Sequence, residues 1–339
     1  MRGTILGGFV SACVAVLAVG VISSGGMAQA ATSSRVTASA TSIAVAAVGS
    51  QALTAQATTT CAPSVNHYNR TQVCWRLSAS VTLFKNTTPE GTISFTITHY
   101  LHTSATSRNF TEHIAISGVK TTGAASGVYM TLKVSCGSPC SATNLFPQGR
   151  TVASMSGDIS YHDNIGKGKA HSTKSNYVFG FTKSGYTPGG FSYSTPISYR
   201  CDQAFGPSAG CVFPAYTPYL TSLSSLPNIV KNIQKAQSGP GHYGKPGSGH
   251  PLHHITSTTQ QRANYNAVCA RSVVGPPPSG KSCDEYPFKT TREGGKTLSA
   301  ANRHTAWVPT AEQNSQGGKI TAFFNANRVL NGDAFWVVV

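Results

Sequence analysis

Acidic residues are scarce in this chain. Ten Asp and Glu stand against 26 Lys and Arg in 339 residues, a formal charge of +16. Residues 61–200 hold only Glu90, Glu112, Asp158 and Asp163, and only the last two lie close together. A glycosidase needs two converging acids, and nothing in this stretch offers an obvious pair. No Cys-x-x-Cys pairs with matching His spacing occur, so a zinc module is not indicated. Past the first 22 residues no run is long and apolar enough to span a bilayer, so stable membrane insertion is not expected. No helical period is legible between residues 61 and 200.

What is present begins with a secretory-type leader. Arg2, an apolar run over residues 5–22 and the small-x-small triplet Ala28-Gln29-Ala30 predict a signal peptide over 1–30 and a secreted, extracellular protein. Without residues 1–30, which hold Arg2 and no acid, 25 basic and 10 acidic residues remain, a net charge of +15. Such a surface attracts polyanions at long range. Nucleic acid, teichoic acid and acidic polysaccharide all fit.

Eight cysteines also remain: Cys61, Cys74, Cys136, Cys140, Cys201, Cys211, Cys269 and Cys283. An even number in a secreted chain argues for disulfides, although eight allow 105 connectivities. Sequential pairing is the expectation: 61–74, 136–140, 201–211 and 269–283.

Residues 31–60 are rich in Ala, Thr and Ser and read as a low-complexity linker, with some β-propensity over 43–48. From Cys61 the texture changes. Stretches 73–84, 91–100, 128–134, 159–161 and 177–181 alternate apolar and polar residues between Gly, Ser, Asn and Pro turns. That period predicts an all-β, disulfide-containing domain over 61–200, of sandwich or sheet type, suited to binding or scaffolding. Beyond Cys201 a helical face appears, with Leu226, Ile229, Val230 and Ile233 aligned after a Pro at the first turn. Residues 257–269 form a second helix candidate behind a Ser or Thr cap, and its Cys269 could tether to Cys283. His242, His250, His253 and His254 lie in and beyond a Gly-rich link at 239–249. Their spacing is irregular for a metal site, and an exposed polar loop is the ordinary reading. His304 reads as a surface hydrogen-bonding group, with a base or phosphate role as the sharper alternative.

Against this background one segment stands out. Residues 281–295 hold Asp284, Glu285 and Glu293 among the basic Lys281, Lys289 and Arg292. Clustered carboxylates can hold a hard divalent cation beside a phosphate. A solvated acidic turn braced by ion pairs is the plain alternative. Asn314 precedes an apolar helical run and reads either as an N-cap or as a neutral oxygen ligand. Residues 333–339 read as a buried terminal strand after an Asn331-Gly332 turn.

The motif Cys283-Asp284-Glu285-Tyr286-Pro287-Phe288, with Glu293-Gly294-Gly295, Trp307-Val308-Pro309, Gln313-Asn314 and Asn327-Arg328-Val329-Leu330, resembles the NucA/NucB family of secreted bacterial deoxyribonucleases. The resemblance is best over 281–339 and reaches weakly back to about Cys201. It implies an α+β nuclease domain over 201–339, core 250–339, with a ββα-metal-like site in which two strands and a helix surround one cation. It implies a metal-dependent endonuclease acting on DNA, with RNA left open, and Mg²⁺ or Mn²⁺ as the ion. Asp284, Glu285 and Glu293 become the catalytic candidates, with Asp284 as base or water-orienting group; on an extended segment Glu285 would face away from it. Asn314 and Glu293 become candidate metal ligands. Lys281, Arg292, Lys319 and Arg328 become candidate phosphate-binding groups. Two departures stand out: Tyr286 replaces a Trp, and Gln313-Asn314-Ser315 replaces Asp-Asn-Arg. A non-catalytic polyanion-binding protein and an antibacterial nuclease toxin are the alternative functions.

Overall fold

The computed structural model describes residues 33–42, 46–47 and 66–339. The expected signal peptide, Cys61 with its pairing to Cys74, and most of the 31–60 stretch lie outside these residues. Described residues from Ser33 onward form one compact unit.

Its first half is a sheet. The strands in chain order are β1 (Ser34–Ser42), β2 (Ala46–Ala47), β3 (His67–Tyr68), β4 (Gln72–Lys85), β5 (Thr88–His102), β6 (Asn109–Thr121), β7 (Tyr129–Ser135), β8 (Cys140–Asn144), β9 (Arg150–Thr151), β10 (Met155–Asp163), β11 (Ala170–Thr173), β12 (Asn176–Lys183) and β13 (Tyr186–Ser194). All but β11 join one twelve-stranded sheet, whose main path runs β8-β10-β6-β5-β4-β1-β13-β12-β7-β9. Alternation explains the core. Val73, Trp75, Leu77, Val81 and Leu83 of β4 face inward, as do Ile93, Phe95, Ile97 and Leu101 of β5. Tyr177, Phe179 and Phe181 of β12 share one hydrophobic cluster with them. A single hydrogen-bonded sheet therefore curls over its own core, where the sequence left open a sandwich of two sheets.

β1 is the piece that lets it curl. Expected as linker, residues 34–42 instead pair antiparallel with β4 over nine positions and parallel with β13 at Arg35 and Thr187. Val36 is buried, and Ala38 and Ala40 pack against the core. Small residues at period 2 fit between two crowded strands; a composition-based reading scores them as featureless.

The second half is smaller and mixed. Two short antiparallel strands, β14 (Tyr199–Asp202) and β15 (Gly210–Val212), pair beside β11. Then come β16 (Tyr219–Leu220), α1 (Pro227–Gln237), β17 (Leu252–His253), α2 (Thr258–Cys269), α3 (Arg271–Val274), β18 (Lys281–Tyr286), β19 (His304–Pro309), α4 (Thr310–Asn327) and β20 (Ala334–Val337). β20 lies between β16 and β17, and β18 pairs antiparallel with β19. Ile229 and Ile233 of α1, Ile320, Phe323 and Phe324 of α4, and Phe335 of β20 form a second core. Disulfides join Cys136 to Cys140, Cys201 to Cys211 and Cys269 to Cys283. Among the described residues no helix is long and apolar enough to cross a membrane.

The two halves meet at buried charge. A helix leaves its last carbonyls without partners. At the end of α4 the Asn327 carbonyl accepts from Arg70 Nε at 2.6 Å, and the Arg328 carbonyl accepts from Arg70 Nη2 at 2.8 Å and Arg200 Nη2 at 2.6 Å. Both arginines also pair with Asp333. Arg328 itself points back, donating to both carboxylate oxygens of Asp202 and to the Ala105 carbonyl. Burial pulls the Arg70 guanidinium down to about 10, against the opposing pull of Asp333. Burial alone would raise Asp333, yet hydrogen bonding and charge from Arg200, then Arg70, hold its carboxyl below the usual range.

Arg70→Met should therefore destabilise the protein by about 3–5 kcal/mol, the usual loss when one partner of a buried pair is removed. Urea unfolding of the variant beside wild type measures this. An unchanged midpoint would remove the argument that these guanidinium groups hold the two halves together.

Candidate active site

β18, β19 and α4 follow one another in the order strand, strand, helix. Asp284 sits opposite Ala306 and Glu285 opposite Thr305 on the paired strands. The Cys269–Cys283 disulfide ties the end of α2 to the residue just before Asp284. Tyr286, fully buried, donates its hydroxyl to the Tyr243 carbonyl and accepts from Gln237 Nε2.

Adjacent strand residues face opposite ways, and the two acids part accordingly. Asp284 turns under the helices. Its Oδ2 accepts from Asn232 Nδ2 of α1 at 2.6 Å, and its Oδ1 accepts from Gln316 Nε2 of α4 at 2.9 Å. Asn232 is in turn held by His304, Nδ1 to Oδ1 at 2.6 Å. Glu285 lines a pocket of about 680 Å³ together with Asn314, Gln313, Gln316, Lys289 and His254. Its Oε1 accepts from the Lys289 backbone N–H at 3.2 Å. The structure thus separates the two acids of the motif by environment. Asp284 is 1% exposed, with both oxygens occupied by amides, while Glu285 is the acid that reaches the pocket.

Burial dominates the acidity of both. Loss of water pushes Asp284 up to about 6, against hydrogen bonds from Asn232 and Gln316 that lower it. Loss of water, then the charge of Asp284, pushes Glu285 up to about 8.

The remaining expected residues are scattered. Asn314 lines the pocket, but as the fifth residue of α4: the helix starts at Thr310, so Asn314 is no cap. Glu293 does not line this pocket. Its Oε2 accepts from the His253 backbone N–H at 2.9 Å, and its Oε1 lies 2.8 Å from His253 Nδ1. The two glycines that follow are explained by packing. A Cβ on Gly294 would fall 2.5 Å from the Phe288 carbonyl oxygen, and one on Gly295, at φ +65°, would fall 2.8 Å from the Asn264 Cα. Arg328 is corrected as a phosphate ligand, because Asp202 and backbone carbonyls occupy its buried guanidinium. Arg292 lines a smaller polar pocket of about 320 Å³, which shares His254 with the first. Lys281 is exposed at the start of β18, and Lys319 is half-buried on α4. Neither lines the larger pocket.

Several pocket residues carry no site assignment from sequence, among them Gln313, Gln316, Phe205 and His254. Gln313 belongs to the family resemblance and to one of its departures but has no assigned role; Gln316 and Phe205 carry no sequence signal for this site. His254 was read as loop; its Nδ1 lies 2.8 Å from the Val329 carbonyl and its ring stacks on Phe324. Burial lowers its pKa, so the neutral ring donates from Nδ1.

Residues 250–338 match the family model "Deoxyribonuclease NucA/NucB". The C-terminal part of the chain is thus recognised as similar to that family. No curated protein and no solved structure gives a significant match to the chain.

NucA/NucB nucleases are generally metal-dependent. Among the described residues no group of three or more His, Cys, Asp or Glu could hold a metal ion. The pocket lining nevertheless includes oxygen donors, the Glu285 carboxylate and the side-chain amides of Asn314 and Gln313, beside the His254 imidazole and the Lys289 ammonium. Gln313 Oε1 is buried without a hydrogen-bond partner. A hard cation takes oxygen ligands and completes its shell with water, and these three oxygen-bearing side chains are of the kind such an ion takes.

The two raised acids set a pH dependence. Each binds its proton more tightly folded than unfolded, so their contribution to stability is complete below about pH 4 and is lost as pH rises through 6 and then 8. In chelator, the melting temperature should therefore fall between about pH 5 and about pH 8.5. Glu285→Gln should flatten the upper part of that fall. Parallel slopes for variant and wild type would show that Glu285 ionises normally.

Proposed function

We propose that this protein is a secreted, metal-dependent endonuclease that hydrolyses DNA phosphodiesters with little sequence preference, and that residues 201–339 are its nuclease part. The observation that carries the reading is the deoxyribonuclease match over 250–338, together with an acid, Glu285, that opens into a pocket beside Asn314. A leader of secretory type and three disulfides support export.

The chemistry follows from the side chains. Long-range positive charge draws the polyanion in. Lys289 adds a cation at the pocket itself. Asn314 and Gln313 would hold Mg²⁺ or Mn²⁺ through their amide oxygens. Such an ion, when bound, offsets charge growing on the attacked phosphate. Glu285 takes the proton of the attacking water; a carboxyl raised towards neutrality by burial is a stronger base than a solvated one. Asp284 acts as a positioning residue, holding Gln316 and, through Asn232, the face of α1. Gly317 and Gly318, in the middle of α4, leave the pocket wall free of side chains there. Among the described residues no element offers itself for insertion into a groove, so contacts fall on phosphates and carry little sequence information.

Plasmid DNA incubated with Mn²⁺ or Mg²⁺ should be cut, and EDTA should stop the cutting. Glu285→Gln should lower the rate by about 10²–10⁴-fold, in the range of a lost acid–base group. Asn314→Ala should lower it comparably with little change in melting temperature, because it caps no helix. Asp284→Asn should cost less. A folded Glu285→Gln enzyme with near wild-type cleavage would falsify its assignment as base, and a larger loss in Asp284→Asn would return that role to Asp284. Binding of DNA without cleavage under any metal would favour a non-catalytic polyanion-binding protein.

A further inference from the structure

The wall of the pocket is not built from residues 250–338 alone. Phe205, from the loop between β14 and β15, lines it beside Glu285 and Asn314. The loop is held at its base and at Gln203. The Cys201–Cys211 disulfide closes its base, and Asp202 pairs with Gly210 across it. Gln203 donates its backbone N–H to the Lys169 carbonyl and accepts from the Gly168 N–H, both at 3.0 Å. Its side-chain amide donates to the Pro207 carbonyl at 2.8 Å.

The ring itself is half-buried and belongs to neither hydrophobic core. The Arg328 guanidinium lies 5.8 Å from its centroid, and Asp202 fixes that guanidinium in turn. A large aromatic ring is thus placed at a polar, acid-bearing pocket, with a cation on one side and the pocket on another. Packing does not require it there. Of the polyanions that suit a +16 chain, only nucleic acid carries aromatic faces. Teichoic acid and acidic polysaccharide offer a ring nothing to stack on.

We propose that Phe205 stacks an unpaired nucleobase next to the phosphodiester held at Glu285 and Asn314; this rests on the nuclease reading above. In a duplex both faces of a base are already stacked, so the pocket takes single-stranded or locally opened DNA in preference to intact duplex. Aromatic stacking tolerates any base, which agrees with low sequence preference. The curled-sheet half of the chain is then joined to the site through the loop that follows it, rather than being a passenger.

The test uses the full chain and single-stranded oligonucleotides with one natural phosphodiester among phosphorothioates. The nucleotide on either side of that bond is made abasic in turn. The readout is the ratio of kcat/KM for the base-bearing strand to that for each abasic strand. A ratio cancels any general damage from substitution. In wild type one of the two ratios should be on the order of 5- to 150-fold, the worth of one stacked base. Phe205→Leu, which keeps apolar bulk, should bring that ratio near one, and Phe205→Trp should restore it. A Phe205→Leu ratio equal to that of wild type overturns the stacking role while leaving the nuclease intact. Ratios near one for wild type at both positions do the same. A wild-type protein that cuts no strand overturns the nuclease reading itself.

Discussion

Everything at the pocket depends on where α4 lies, and its far end is held by guanidinium groups from distant parts of the chain. Arg70 and Arg200 supply donors to carbonyls that the helix cannot satisfy itself. Asp333 balances them and Asp202 balances Arg328. Burying such pairs costs desolvation, so they are a poor source of net stability. Their effect is positional. Each carbonyl and carboxylate admits only a donor in the right place, so the helix cannot slide against the sheet without stranding several at once. The pocket residues Gln313, Asn314 and Gln316 ride on the other end of the same rigid rod.

At that end, two neighbouring carboxyls occupy different chemical environments because strand geometry turns them apart. One is enclosed by neutral amides and serves the architecture. The other keeps access to a pocket and retains a high affinity for a proton. Two adjacent residues of one motif therefore have two surroundings, and the pleat of β18 decides which residue meets which.

Some of this could be read directly from residues. The period-2 stretches around Trp75 and Phe179 signalled half-buried strands because large apolar side chains alternate there. The acidic segment stood out because acids are rare elsewhere. Other features resisted for physical reasons. β1 alternates Ala with Ser and Thr, a pattern that carries little hydrophobic contrast. Asp284 and Glu285 are indistinguishable until the pairing with Ala306 and Thr305 fixes their faces. Glu293 resembles a ligand in sequence, yet its partner His253 lies forty positions upstream. The cap reading of Asn314 fails because α4 begins earlier, at Thr310, in a polar turn with no apolar marker. Arg328 and Phe205 meet only through the fold, across more than a hundred residues.

The scarcity of acids has a consequence for how the sequence can change. All ten carboxylates are engaged: Glu90 with Tyr186, Glu112, Asp158, Asp163 and Glu293 with histidines, Asp202 and Asp333 with arginines, and Asp284, Glu285 and Glu312 with amides or backbone N–H groups. Most surface lysines have no such counterpart to lose. Mutational tolerance is therefore lopsided by charge sign. Exposed lysines can drift, provided the total stays high, whereas most acids, like the buried Arg70, Arg200 and Arg328, are fixed individually by the partner each one answers.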